Sequence, residues 1–230
     1  MTTPSGHNKK ITAILFDVGG VLLSKLSDID EQICRILDLN IESSQKAQEE
    51  VIATDVELIE EWKHITTLVK EVAYLNKFYT RVFKVMGVQK SSEEIQIATM
   101  CQVKRGYKIN SGAISTLRYL SKKYDLGIVT NCYVSRKYFE FVDYDLNKYF
   151  KAIIISREIN SDKPEAVHFQ KCFELLKVKP ENVALIDDKQ KNLKAGEQFG
   201  ISRLIQYKIK KGKTSDYRVI RSLGELKSIF

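Results

Sequence analysis

The residues best placed to do chemistry in this sequence are carboxylates that close apolar runs. Asp17 ends AILFD and is followed, after Val18, by Gly19 and Gly20; Asp187 and Asp188 end VALIDD. Burying an unpaired carboxylate is expensive, so an acid in such a place needs a partner or a task. The two glycines suggest a backbone that turns sharply or approaches something closely. Thr130 and Asn131 end a third run, DLGIVTN, and Lys163 stands before Pro164 in SREINSDKPE, after a fourth run, AIIIS. Each has a plain structural explanation: a strand end for Thr130, a solvated lysine, a helix-opening proline, a cap or turn for the Asp pair. Together they bring three carboxylates, a hydroxyl and an ammonium group from four segments.

The elements that must position them follow from the apolar pattern. Runs rich in Ile and Val recur at 11–17, 125–130, 152–156 and 183–187, with a weaker fifth at 202–207. Each reads as a strand buried on both faces, as in a parallel sheet. Between the last four lie segments of helical period; over 165–176, Phe169, Cys172, Phe173 and Leu176 share one face, and Pro164 is expected to open that helix. The alternation predicts an α/β fold with a doubly wound, Rossmann-like parallel sheet. Ligands of such sheets bind beyond the carboxyl ends of the strands, where the polar residues above fall. From Ser24 to Lys108 the pattern changes: no strand-like run and no proline occur. A block that long is not a loop. Its longest predicted helix puts Leu58, Trp62, Ile65, Val69 and Val72 on one packing stripe. The expected organisation is a core of residues 1–23 and 109–230 with an inserted all-helical cap at 24–108.

With these residues in order, the sequence resembles the haloacid dehalogenase-like (HAD) hydrolases, in the branch with a helical cap after the first strand. The resemblance covers nearly the whole chain and rests on FDVGGVL, IVTN, DKPE and LIDDKQKN. It implies a phosphatase in which Asp17 attacks phosphorus and forms an aspartyl-phosphate. Thr130 and amides near Asn131 would hold phosphate oxygens, Lys163 would neutralise the phosphate and Asp17, and Gly20, Asn131 and Lys163 would line the substrate. A hard cation, Mg²⁺, would be held by Asp17, the Gly19 carbonyl and Asp188, with Asp187 behind them. The implied substrate is a small phosphorylated metabolite, with sugar phosphates among the candidates.

One departure stands out. The usual phosphatase motif has a second Asp two residues after the nucleophile, as general acid and base; here that residue is Gly19. Such catalysis is worth ~10²–10⁴-fold. Alternatives to a Mg²⁺-dependent phosphatase are therefore a catalytically weak binding protein on the same scaffold and a metal-free 2-haloacid dehalogenase. The adjacent Asp187 and Asp188, which suit a cation, argue against the last. His64, Trp62 and Tyr74 are candidates to face the site from the cap.

Composition sets outer bounds. The chain has 230 residues, 43% hydrophobic and 29% charged, ordinary for a globular domain. No apolar run approaches the ~20 residues that cross a bilayer, and MTTPSGHNKK lacks the apolar region of a signal peptide. Cys34, Cys101, Cys132 and Cys172 are scattered, which fits neither a disulfide framework nor a zinc site and suits a reducing cytoplasm. His7, His64 and His168 make no metal-ligand spacing and are expected at the surface. The net charge of +8 helps attract a small anion. The basic stretch 207–213 is short, with a single aromatic, and reads as a solvated loop rather than a nucleic-acid site. Oligomeric state is left open.

Overall fold

The structure is a computed structural model and describes residues 10–26, 28–104, 106–209 and 214–230. His7 and residues 210–213 of the basic stretch lie outside the described residues. The strands are β1 (Ala13–Phe16), β2 (Leu23–Lys25), β3 (Tyr107–Ile109), β4 (Asp125–Thr130), β5 (Ala152–Ile155), β6 (Val183–Asp187), β7 (Arg203–Tyr207) and β8 (Arg218–Ile220). The helices are α1 (Ile29–Leu37), α2 (Ile41–Thr54), α3 (Val56–Trp62), α4 (Leu68–Val85), α5 (Ser92–Val103) and α6 (Ala113–Leu120), then the single turns α7 (Ser135–Tyr138), α8 (Glu140–Asp143) and α9 (Ser156–Ile159). They are followed by α10 (Ala166–Leu176), α11 (Gln190–Gln198) and α12 (Leu226–Ile229).

Six strands form a parallel sheet in the order β5-β4-β1-β6-β7-β8. β1 lies at its centre, pairing Ala13–Phe16 with Asp125–Ile128 on one side and Val183–Ile186 on the other. Alternate residues enter opposite cores. Ile14 and Phe16 join Ile128, Ile186, Leu117, Leu120 and Leu226 on one face; Ala13 and Leu15 join Val129, Leu185, Phe169, Cys172 and Leu193 on the other. Helices α6 and α12 thus cover one face, α10 and α11 the other. Burial on both faces is why these strands read as unbroken apolar runs. The architecture is the expected α/β, Rossmann-like one.

Helices α1–α5 pack around a separate cluster that includes Ile33, Val51, Leu58, Leu75, Tyr79, Val82 and Ala98. The chain enters this block through β2 and leaves through β3, which pair antiparallel with Leu23 opposite Ile109. These strands occupy the ends of a stretch expected to contain none; three residues each are too few to show an alternation.

Three further expectations need correction. The stripe Leu58–Val72 is not one helix: α3 ends at Trp62, and α4 begins anew at Leu68 behind Thr67, whose side chain accepts a hydrogen bond from the Lys70 amide. That β-branched cap breaks the helix while the spacing of apolar residues carries on across the turn. Val69, placed on the stripe, is 79% exposed. Pro164 does not open α10, which starts at Ala166, because the intervening Glu165 is extended (φ −62°, ψ 145°). His168 is not at the surface. It is fully buried on the flank of α10, with Nδ1 3.4 Å from Ser161 Oγ. Burial and then the nearby Lys163 charge push it down to about 4.

Candidate active site

The predicted polar residues gather at the carboxyl edge of the sheet, beside the switch point where the chain, having built out from β1 to β4 and β5, crosses to β6. Asp17 follows β1 directly, its amide continuing the ladder to the Ile186 carbonyl at 2.9 Å. Asp187 is the last residue of β6 and Thr130 the last of β4. Lys163 reaches in from the loop between α9 and α10, and its Nζ donates to Asp17 Oδ1 at 2.9 Å and to Asp187 Oδ2 at 2.7 Å.

This ion triad is buried. Burial, the largest single influence, pulls the Lys163 ammonium down, but the charges of Asp17 and Asp187 outweigh it and leave it raised. Asp187 is itself pushed up by burial and by Asp17, with Lys163 opposing. Its remaining lone pairs are well used. The Lys189 amide donates to Oδ1 at 2.9 Å, and the Asn192 amide group lies 3.0 Å from both carboxylate oxygens. Lys163 is aimed by a second clamp: its amide donates to Asn131 Oδ1 at 2.7 Å, and Asn131 Nδ2 donates to the Lys163 carbonyl at 3.1 Å. The Asn131 side chain thus holds the lysine loop. Thr130 is buried, and burial pushes the nearby Cys132 thiol up to about 12.

Asp188 is the exception to this good pairing. Its Oδ1 is buried and has no hydrogen-bond partner. Burial, then the charges of Asp17 and Asp187, raise it to about 6. Asp17, Asp187 and Asp188 each offer a carboxylate oxygen, and these atoms lie within 4.8 Å of one another. A hard, oxygen-seeking cation such as Mg²⁺ fits that donor set, and the orphaned oxygen is what such an ion would satisfy.

Gly20 makes room for this arrangement. It has φ +85°, and a Cβ there would sit 2.7 Å from Asp188 Oδ2. The glycine is required both by its backbone and by the close carboxylate. Gly19 differs: its φ is not in the left-handed region, and a Cβ would meet only Arg136 Nη1, at 3.8 Å. Nothing steric excludes a side chain at this position.

A cavity of about 560 Å³ opens in front of Gly19, Gly20, Asn131 and Asp188, walled by Trp62, Tyr107, Arg136 and Arg157 among others. Of the three residues considered from the helical block, Trp62 reaches it. Tyr74 is buried behind Trp62 with ring centroids 5.2 Å apart, and His64 is exposed elsewhere. Two contributors were missed in the sequence. Asn192 had a signal, standing five residues beyond Asp187 within the quoted LIDDKQKN. Arg136 had none, since an arginine in SRKY looks like any surface arginine.

The model of the haloacid dehalogenase-like hydrolases matches residues 11–200. The chain belongs to that family. As a HAD-like hydrolase it shares its fold with many solved structures. One is a 2-haloacid dehalogenase from Pseudomonas syringae pv. Tomato DC3000, at 18% identity over 95% of this chain and 97% of that one, TM-score 0.71. The HAD-hydrolase YfnB from Bacillus subtilis, bound to magnesium, aligns at 18% identity over 96% and 99%, TM-score 0.66. A HAD phosphatase from Thermococcus onnurineus aligns at 20% identity over 95% and 97%, TM-score 0.61. At these identities the likeness is one of fold, and it spans phosphatases and dehalogenases alike. No curated protein matches the chain by sequence. Among the described residues no helix is long and apolar enough to cross a membrane.

Proposed function

We propose that this HAD-like hydrolase removes phosphate from a small phosphorylated metabolite, with Asp17 as nucleophile. The observation that carries the reading is the close group of three carboxylates, two of them buried and paired with one ammonium, with an Asp188 oxygen left unpartnered. The excess negative charge calls for a divalent cation, and a phosphoryl group is what such a cation serves best. A magnesium-bound relative in fold and a phosphatase among the neighbours are in keeping with it.

In this reading an Asp17 oxygen bonds to phosphorus as the ester P–O bond breaks, and the alcohol leaves as an alkoxide that takes its proton from water. Water then attacks phosphorus, the Asp17–phosphoryl bond breaks, and inorganic phosphate departs. Lys163 offsets the charge of nucleophile and phosphoryl group, and Asn131 keeps its loop in place. Mg²⁺ held by Asp17, Asp188 and the Gly19 carbonyl, backed by Asp187, would supply further charge stabilisation to the phosphoryl oxygens. Residues 24–108 would serve as a cap over the core segments 1–23 and 109–230, and four free cysteines suit a cytoplasmic setting.

The test is phosphate release from a panel of phosphate esters, with Mg²⁺ and with EDTA. Asp17→Asn should reduce turnover to background. Retention of most of the wild-type rate, or halide release from a 2-haloacid in EDTA, would overturn the reading.

A further inference from the structure

Arg136 is a largely buried cation that has no ion-pair partner among the described residues. Its residue is 7% exposed, and its guanidinium lies over the Tyr107 ring, Cζ 4.0 Å from the centroid. Among the described residues no carboxylate or other acceptor meets it. A guanidinium stays charged and carries five donors, so an aromatic face satisfies it only in part. Its place is fixed from both sides. Ser135, the preceding residue, donates from its amide and Oγ to the buried Glu71 carboxylate at 2.9 and 2.6 Å. The strand carrying Tyr107 is held by Tyr144, whose hydroxyl donates to the Tyr107 carbonyl at 2.7 Å.

The donors face the cavity. Nη1 lies beside Gly19, while Gly20, Asn131 and Asp188 form the cavity end next to the acidic group. A phosphoryl group seated there directs the rest of its substrate along the walls, past Arg136. The other wall cations are already engaged or wet: Arg157 is paired with Asp162 at 2.7 Å, and Lys25 and Lys189 are exposed. An oxyanion matched to the guanidinium fork would complete the unsatisfied site. Resting on the phosphatase reading, we propose that the substrate carries a second anionic group, a carboxylate or a second phosphate, and that Arg136 binds it and sets specificity.

Three esters on one three-carbon skeleton test this: propyl phosphate, 3-phosphonooxypropanoate and propane-1,3-diyl bisphosphate. Wild type should favour one or both doubly anionic esters over propyl phosphate by about 10–100-fold in kcat/KM, the range of hydrogen bonds to charged groups. Which one leads tells carboxylate from phosphate. In Arg136→Gln that ratio should fall nearly to one. A wild-type ratio near one, or a ratio unchanged in Arg136→Gln, overturns the proposal; the second result would give the guanidinium to the phosphoryl group all esters share. Should Arg136→Gln lose its fold, Arg136→Lys carries the test, since one point charge cannot reproduce the fork and the ratio should fall several-fold. If none of these three esters is turned over, the wider ester panel decides the phosphatase reading, and calorimetric binding of the same three compounds decides this inference. Tighter binding of the doubly anionic esters to wild type, lost in the variant, upholds it; equal binding overturns it.

Discussion

Replacing Lys163 with Gln removes the one positive charge held between Asp17 and Asp187. The lost contacts are 2.9 and 2.7 Å long, and the Lys163 and Asp187 side chains are 1% and 0% exposed. Removing one partner of a buried ion pair typically costs about 3–5 kcal/mol. The Gln amide can donate to one carboxylate and return about 1 kcal/mol. The net loss is roughly 2–4 kcal/mol. For a chain of 230 residues, at about 2–4 °C per kcal/mol, the melting midpoint should fall about 4–16 °C at neutral pH. The pH dependence carries the sharper signature. Asp187 is already raised by burial and by Asp17, and without Lys163 it rises further. A group whose folded pKa exceeds its unfolded value adds stability below that value and loses it as pH rises. The deficit of the variant should therefore shrink as pH falls from 7 toward 5. Calorimetric melting across that range, in EDTA and again with Mg²⁺, reads both effects, and the divalent ion should raise the variant more than wild type. A variant that melts with wild type, or whose deficit widens on acidification, would refute the ion triad as the support of this edge.

Asp188→Asn should abolish most of the Mg²⁺-induced rise in melting temperature with little change in the metal-free protein; an undiminished rise would place the ion elsewhere. At Gly19 an added Cβ would meet only Arg136 Nη1, at 3.8 Å, and the backbone is outside the left-handed region, so Gly19→Asp should fold. It should flatten the dependence of rate on leaving-group pKa and speed alkyl phosphates by up to ~10–10³-fold, part of the general-acid range; an unchanged slope would mean the proton already comes from another group. His168 is lowered from 6.5 to about 4, so its neutral form supports the fold above pH 6.5 and that support is lost as pH falls toward 4. Asp188, raised to about 6, works in the opposite sense over this window, so the readout is the difference. The melting temperature of His168→Gln relative to wild type should rise as pH falls from 6.5 toward 4, and a constant difference would refute the assignment.

How much of this was readable beforehand varied with the kind of burial. Central strands β1, β4 and β6 are covered on both faces, so their sequences are nearly continuous apolar runs, and the polar residues closing them stood out. Edge strand β8 covers only Arg218–Ile220 and left no such run. The turn between α3 and α4 was hidden because Leu58, Trp62 and Ile65 keep their spacing through it. Asp17, Lys163, Asp187 and Asp188 could be collected by type and order. The partners that hold them could not: Asn131 toward Lys163, Asn192 toward Asp187 and Arg136 beside Gly19 depend on which loops the fold brings together. His168 was misread since one apolar face of α10 was visible in sequence and the loop packed on its flank was not.

The pairing of β2 with β3 also bears on how the chain folds. Leu23 and Ile109 are neighbours in space although 86 positions apart in the sequence, because the helical block leaves from and returns to one point. Seen from the sheet, that block acts as a short closed loop, and loop-closure entropy grows only slowly with whatever lies inside it. The helices can form and pack locally, among contacts close in sequence, before the distant meeting of β1 with β4 is made. Long-range assembly of the sheet then starts from an effectively shortened chain, and insertions within the block lengthen the protein with little effect on the rate at which its central strands find each other.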